Sequence, residues 1–308
     1  MNNIDKNFFN LIDTIKNQSL EEVYNHIKDC FDKIHPSIQT SLQDYFKKFD
    51  YWGKLSIAEN NYEELYNRAE SLKNHIEDYI SLYDKLEDYR SKKLLFAILN
   101  NWYNFDFESL KTSGETNYLH YFDADIVKCS QDEVIVDLGA YIGDTIIDYL
   151  NTYGVDQYKQ IYCYEITDES FEYLKSNLAN YPNIKFIKKA VGDKISNLYI
   201  NKSSVDNSAN TISDKGEITI PVTTLDEDIK DKITMIKMDI EGSEQKALNG
   251  CKQHIMNDHP KLLISVYHNH EDLWKIPQMI NEMSNDYQFY LRYYGNNIFP
   301  TEIVLIAI

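Results

Sequence analysis

The sequence predicts an α/β chain in two parts: an all-α domain over residues 1–110, then a Rossmann-like domain over 111–308. The second part is expected to carry a mostly parallel sheet with an antiparallel hairpin at one edge. Three observations predict this. Residues 1–110 hold one of the ten glycines (Gly53), one of the six prolines (Pro36) and a single valine (Val23), so turn-formers and β-branched residues concentrate in the remainder. Apolar residues of the first part recur at steps of three and four. From Glu133 onward, short apolar runs alternate with helical patterns, the mark of βαβ units.

In the first part, Leu20, Val23, Tyr24, Ile27, Phe31 and Ile34 form one helical stripe, and His35-Pro36 ends it, because the residue before a proline is disfavoured in the helical region. A longer stripe runs through Tyr62, Leu65, Ala69, Leu72, Ile76, Tyr79, Tyr83 and Leu86. Its alternating steps resemble a coiled-coil seam. Two readings stand side by side: a long helix packed in its own chain's bundle, or a homodimer seam over 62–86. A last helix is expected through Lys93–Leu99.

In the second part the expected strands are Val134–Leu138, Gln160–Tyr164, Ile184–Ile187, Ile233–Met238 and Lys261–Tyr267. The expected helices are Thr145–Asn151, Glu169–Asn180 and Ser243–Met256. Gln288–Tyr294 and Glu302–Ile308, around Gly295, read as the edge hairpin. Between the third and fourth main strands, Leu198–Ile200 and Ile218–Val222 read as short strands flanking a polar loop, SSVDNSANTISDKG, open to a lid role.

Acidic residues outnumber basic ones 49 to 31, for a net charge of −18. Nucleic-acid partners need clustered Lys and Arg to displace counterions, and anionic membranes need a basic face; neither partner is expected. Cys30, Cys129, Cys163 and Cys251 lie far apart without a CxxC pair, which reads as reduced thiols of a cytoplasmic protein. The start, MNNIDKNFFN, lacks a signal-peptide pattern, and no run of 18 apolar residues is present.

The first strand ends in VIVDLGAYIGDT. A dinucleotide fingerprint would require glycines at 139, 141 and 144, but Tyr141 and Asp144 stand there. Close approach of a diphosphate at 141 is blocked, and the carboxylate at 144 repels it. The spacing Asp137-x-Gly139-x-x-x-Gly143 suits a ligand without phosphates. Glu165, at the carboxyl end of the second strand, can accept both hydroxyls of a ribose. The small pair Ala190-Val191 can lie against a flat base, with Asp193 in reach of an exocyclic amine. Ribose, a base, no phosphate and a cation at the far end describe S-adenosylmethionine, whose sulfonium suits Asp137, Asp144 and Asp239.

DLGAYIGDT, YE at 164–165, TTLDE at 223–227, IKMDIEGSEQKALNG at 236–250 and LLISVYHN at 262–269 resemble the FkbM family of S-adenosylmethionine-dependent methyltransferases. YLHYFDADIV at 118–127 resembles the segment leading into that domain, so the resemblance covers about 115–308. It implies a seven-stranded class I methyltransferase fold and methyl transfer to a hydroxyl, less often an amine, of a small molecule or glycan residue. It also implies that His120 and Tyr121 border the donor pocket. Tyr141 stands where the family often carries Asn, and Ile166 where Pro is common.

Methyl transfer is an in-line displacement that needs an aligned nucleophile and a group to take its proton. Asp239, Glu241 and His268 are the candidate catalytic residues. Asp239 is expected at the donor's methyl end. Glu241 would orient or deprotonate the acceptor, and His268 has a suitable imidazole. Capping of the helix near Ser243 is the structural alternative for the two acids, and wall hydrogen bonding that for His268. His270 reads as a helix-start residue, and Lys237, inside a strand, as needing a carboxylate partner. Asp239, Glu241 and His268 are of the residue types that together hold a divalent metal, but no spacing singles this out. Two rival readings are a non-catalytic interaction module that kept the fold and a nicotinamide-dependent oxidoreductase, which residues 141 and 144 oppose.

Overall fold

The computed structural model describes residues 2–49, 52–200, 212–213, 218–296 and 298–308. The chain forms two compact units, one made of residues 1–115, 266–278 and 288–305, the other of 116–265, 279–287 and 306–308.

The first unit opens with helices α1 (Asn3–Lys16), α2 (Leu20–Lys33) and α3 (Pro36–Lys48), then a short pair β1 (Leu55–Ser56) and β2 (Asn61–Tyr62). It continues with α4 (Glu63–Asn74), α5 (Ile76–Lys85), α6 (Tyr89–Asn104) and α7 (Phe107–Lys111). Capping boxes start the first two helices, Asn2 with Asp5 and Ser19 with Glu22, each satisfying two backbone N–H groups that have no intrahelical acceptor. α2 stops at Ile34 in extended backbone, and Pro36 opens α3 at a position where its missing N–H costs nothing. Val23, Ile27, Phe31, Leu65, Ala69, Leu95 and Ile98 are buried in the core of this unit.

The expected single helix over 62–86 is two helices. His75 (φ −116°, ψ 26°) interrupts it, and its Nδ1 lies 2.9 Å from Asp78 Oδ2 in the first turn of α5. Leu65, Ala69, Leu72, Ile76, Tyr79, Tyr83 and Leu86 are all buried within the chain itself. The seam is therefore covered by the protein's own residues.

The second part contains β3 (Val134–Leu138), α8 (Asp144–Tyr153), β4 (Gln160–Tyr164), α9 (Asp168–Asn177), β5 (Ile184–Ile187) and β6 (Ala190–Val191). Then come β7 (Ser196–Ile200), β8 (Ile212–Ser213), β9 (Ile218–Thr223), α10 (Leu225–Asp228) and β10 (Met235–Met238). The chain ends with α11 (Glu244–Asn249), α12 (Lys252–Asp258), β11 (Lys261–Ser265), α13 (Asp272–Met283), β12 (Phe289–Tyr293) and β13 (Ile303–Ala307). Seven strands form the main sheet in the order β12-β13-β11-β10-β3-β4-β5, and β11, β10, β3, β4 and β5 run parallel. β3 and β10 are buried at every position, as strands covered on both faces must be. Tyr294 N–H donates to Glu302 O at 3.0 Å where the chain returns from β12 to β13.

β6, β9, β7 and β8 make a separate four-stranded sheet. Most of the polar loop expected at 203–216 lies outside the described residues. The helix expected over 243–256 is divided at Gly250-Cys251. The Asp226 carboxylate accepts from Gln253 and His254 N–H and so caps the start of α12, and a Cβ on Gly250 would stand 2.0 Å from Gly192 O. Among the described residues, no helix is long and apolar enough to cross a membrane.

Candidate active site

The site lies in the second unit, where β3 and β10 run side by side with Asp137 and Lys237 as direct partners. Beyond both strands the backbones nearly touch. A Cβ on Gly139, which sits at φ +80°, would stand 1.9 Å from Asp239 O, so only glycine allows this crossing. Gly143 (φ +87°) opens α8 against Leu174 of α9 and Leu178 just beyond its end, and Asn177 Nδ2 donates to Ile142 O at 2.9 Å.

The turn between β3 and α8 uses its own amides. Gly139 and Ala140 N–H both donate to Tyr164 O, at 3.1 and 2.9 Å, and Gly143 N–H donates to Ala140 O at 2.8 Å. Tyr141 N–H donates to Glu165 Oε2 at 3.0 Å. A phosphate nest requires such N–H groups to converge on an anion; here protein oxygens take them. Glu165 is buried, and its other oxygen accepts from Thr167 N–H at 2.7 Å. Burial raises its carboxyl above the ordinary range, and these backbone donors act against that.

Behind the turn, Lys237 Nζ lies 3.0 Å from Asp137 Oδ1 and donates to Gly139 O at 2.8 Å. Both side chains are buried. Burial opposes the charge of Lys237, but Asp137 and Asp239 more than offset it and hold the ammonium above its ordinary value. Burial moves Asp137 upward and the ammonium pulls it back. Asp137 Oδ2 is buried with no hydrogen-bond partner among the described residues.

Tyr121 joins these groups to the rim. Its hydroxyl donates to Asp239 Oδ2 at 2.7 Å and lies 3.1 Å from Ser265 Oγ at the end of β11. Lys237 Nζ stands 5.4 Å from the centre of the Tyr121 ring. His120 stacks on that ring at 4.1 Å, nearly parallel, and burial pushes its imidazole down to about 4. Three residues of the site, Tyr121 (φ 71°), Tyr141 (φ 46°) and Glu241 (φ 55°), hold the left-handed conformation. Non-glycine residues adopt it at a cost, and such strain gathers where function fixes the backbone.

The structure thus joins Tyr121, Asp137, Gly139 and Asp239 through direct contacts, and Tyr141 with Glu165. Asp144, first residue of α8, and Glu241, in the turn after β10, are exposed. Glu244 accepts from Ile240 N–H at 2.8 Å and so satisfies the backbone before α11. Ala190 and Val191 lie on β6 of the four-stranded sheet, and Asp193 is exposed. His268, in the first unit, is fully buried with its ring 4.2 Å from that of Tyr267. Lys237 has the carboxylate partner its burial demanded. Sequence reasoning missed Ser265, the last residue of a buried strand, and missed that Glu165 holds the glycine turn as well as facing it. The acid directly after a strand was the available signal for the second.

The methyltransferase FkbM domain family matches residues 137–296. No curated protein matches the chain. Among solved structures, the methyltransferase FkbM from Methylobacillus flagellatus KT is 25% identical, with a TM-score of 0.68 over 78% of this chain; the match spans 62% of that longer protein. An rRNA methylase from Streptococcus thermophilus is 12% identical (TM-score 0.38, 61% of this chain and 92% of that one). The fibrillarin of Aeropyrum pernix, solved with S-adenosyl-L-methionine, is 11% identical (TM-score 0.36, 59% of this chain and 70% of that one).

Proposed function

Since the chain belongs to the FkbM family of methyltransferases, we propose that its second unit binds S-adenosylmethionine and directs the methyl group to a hydroxyl of a small molecule or glycan residue. The observation that carries this reading is the turn over 139–143. Its amides at 139, 140, 141 and 143 are engaged by protein oxygens, so it offers no phosphate cradle. Asp137, Asp144 and Asp239 act on the Lys237 charge beneath it, and Glu165 accepts from its Tyr141 N–H. Such a site suits a cationic ligand without phosphate. The residues fit the donor: Asp137 Oδ2 is a buried acceptor without a hydrogen-bond partner among the described residues, and glycine at 139 keeps the floor of the turn free of side chain.

When bound, S-adenosylmethionine supplies a methyl group made electrophilic by its sulfonium. Glu165, which already accepts from Thr167 and Tyr141 N–H, would meet the ribose hydroxyls as the acid at this strand end does in nucleotide-binding βαβ units. Tyr141 and Gly143 would shape the turn beneath the amino-acid tail, Asp144 would face its ammonium, and Ala190 and Val191 would lie along the base. Asp239, oriented by the Tyr121 hydroxyl, would face the positive end. Glu241, exposed on a strained turn, orients the acceptor and takes its proton; His268 is fully buried in the first unit and is the less accessible base. A positioned base contributes roughly 10²–10⁴-fold.

Isothermal titration of the full chain with S-adenosylmethionine, S-adenosylhomocysteine and NAD tests the reading. The first two should bind and NAD should not. Binding of NAD, or of neither sulfur compound, overturns it. A labelled-donor assay on cell extracts, read by mass spectrometry, then identifies the acceptor.

A further inference from the structure

The first unit holds a cavity of about 320 Å³ that shares no residue with the site above. Helix α4 forms one wall through Asn67, Glu70, Ser71 and Asn74, and Asn269 and His270 form another. At about 30 Å³ per water, it has room for a ligand of roughly ten non-hydrogen atoms.

Its chemistry is unusual for a small-molecule pocket, most of which are lined by apolar groups. Amides, a hydroxyl and carboxylates dominate this lining, and among the described residues it includes no lysine or arginine. Glu70 and Asn74 are exposed, and their side chains make no hydrogen bond among the described residues. Asn67 and Asn269 donate through Nδ2, to Trp52 O at 3.1 Å and to Asp272 Oδ2 at 2.9 Å, which leaves each side-chain carbonyl oxygen as an acceptor.

A second observation concerns the floor. The His270 side chain is 10% exposed, and its Nε2 lies 3.9 Å from Glu64 Oε1 without a hydrogen-bond partner among the described residues. Its ring packs 4.4 Å from that of Trp52 and 5.3 Å from that of Trp102. Burial pushes the imidazole down to about 3, so it is neutral, with Nε2 turned towards Glu64 beneath the pocket. Beneath it Arg68 and Glu64 form a fully buried ion pair, and Arg68 Nη1, Glu64 Oε2 and Trp102 Nε1 also lack partners among the described residues. Native cores seldom leave so many polar atoms unmatched in one place.

We propose that this cavity is a binding site for a small hydroxyl-rich ligand, uncharged or amine-bearing, of the size of one sugar ring. Asparagine amides that each donate and accept match vicinal hydroxyls, and Glu70 at the mouth favours an amine. A phosphate or carboxylate would meet a carboxylate with no cation lining the wall. The proposal goes beyond the methyl-transfer reading and does not depend on it.

The test is titration of the full chain with glucose, glucosamine and glucose 6-phosphate, followed by tryptophan fluorescence and saturation-transfer NMR. Glucose and glucosamine should saturate the site with dissociation constants near or below about 10 mM, glucosamine the tighter of the two. Glucose 6-phosphate should bind at least roughly tenfold more weakly than glucose. The double variant Glu70→Ala/Asn74→Ala changes two exposed residues and leaves the core intact; it should weaken glucosamine about tenfold. Failure of both uncharged and amine-bearing sugars to saturate, saturation that the double variant leaves unchanged, or tightest binding of the phosphate ester each overturns the proposal.

Discussion

Lys237 Nζ stands 3.0 Å from Asp137 Oδ1, with both side chains buried between neighbouring central strands. The pair fixes the floor of the site, since the same ammonium also holds Gly139 O. Removing one partner leaves the other charge buried alone. Lys237→Met is expected to cost about 3–5 kcal/mol of stability in urea unfolding, and Asp137→Leu/Lys237→Met to recover most of it. Lys237 is held above its ordinary 10.5. Its contribution is therefore complete below that pH and lost as the pH rises through the higher folded value.

Gly139→Ala should be severe and Gly114→Ala mild. The first places a methyl 1.9 Å from a backbone oxygen at positive φ, whereas the second meets its nearest atom at 3.6 Å. Thermal midpoints of the two variants should differ by several degrees, and Gly139→Ala should lose donor binding as well. Equal midpoints would contradict the close crossing of the two turns.

Tyr121→Phe removes the hydroxyl that orients Asp239. A hydrogen bond to a charged group contributes about 1.5–3 kcal/mol. The variant should therefore bind S-adenosylmethionine roughly tenfold or more weakly in calorimetry. Unchanged affinity would place Asp239 outside the donor pocket.

Glu165→Gln keeps the shape of the side chain but removes its charge. The turn loses a charge-assisted acceptor for Tyr141 N–H, and the proposed ribose contacts weaken. Donor affinity should drop by about 10–100-fold, while an unrelated change at exposed Glu172 should leave it intact.

Acid should destabilise the protein before its carboxylates titrate. His120 and His270 are pushed from 6.5 to about 4 and about 3 by burial, so the unfolded chain takes up their protons first. Stability is full above pH 6.5 and falls as the pH drops towards those folded values, by up to about 1.4 kcal/mol per pH unit for each histidine. Thermal midpoints between pH 7 and 4 measure this, and His120→Gln and His270→Gln should flatten the curve.

The sequence by itself determined the class of each half and the strands that matter. The bounds of β3, β4 and β5 were legible because buried parallel strands are short, apolar and bracketed by turn residues. The glycine turn, the acid at 165 and the acids at 239 and 241 drew notice for a related reason: each follows the end of a buried strand. Local patterns could not show the breaks at His75 and Gly250, because helical periodicity runs straight through both. The breaks come from partners distant in sequence, such as Asp226 capping α12 and Gly192 pressing on Gly250. Nor could they show that Lys237 faces Asp137 in register, that Tyr121 reaches Asp239 across 118 residues, or that His270 meets a buried ion pair. Tertiary structure decided these, because hydrogen bonds and ion pairs depend on distance in space, while a sequence records only distance along the chain.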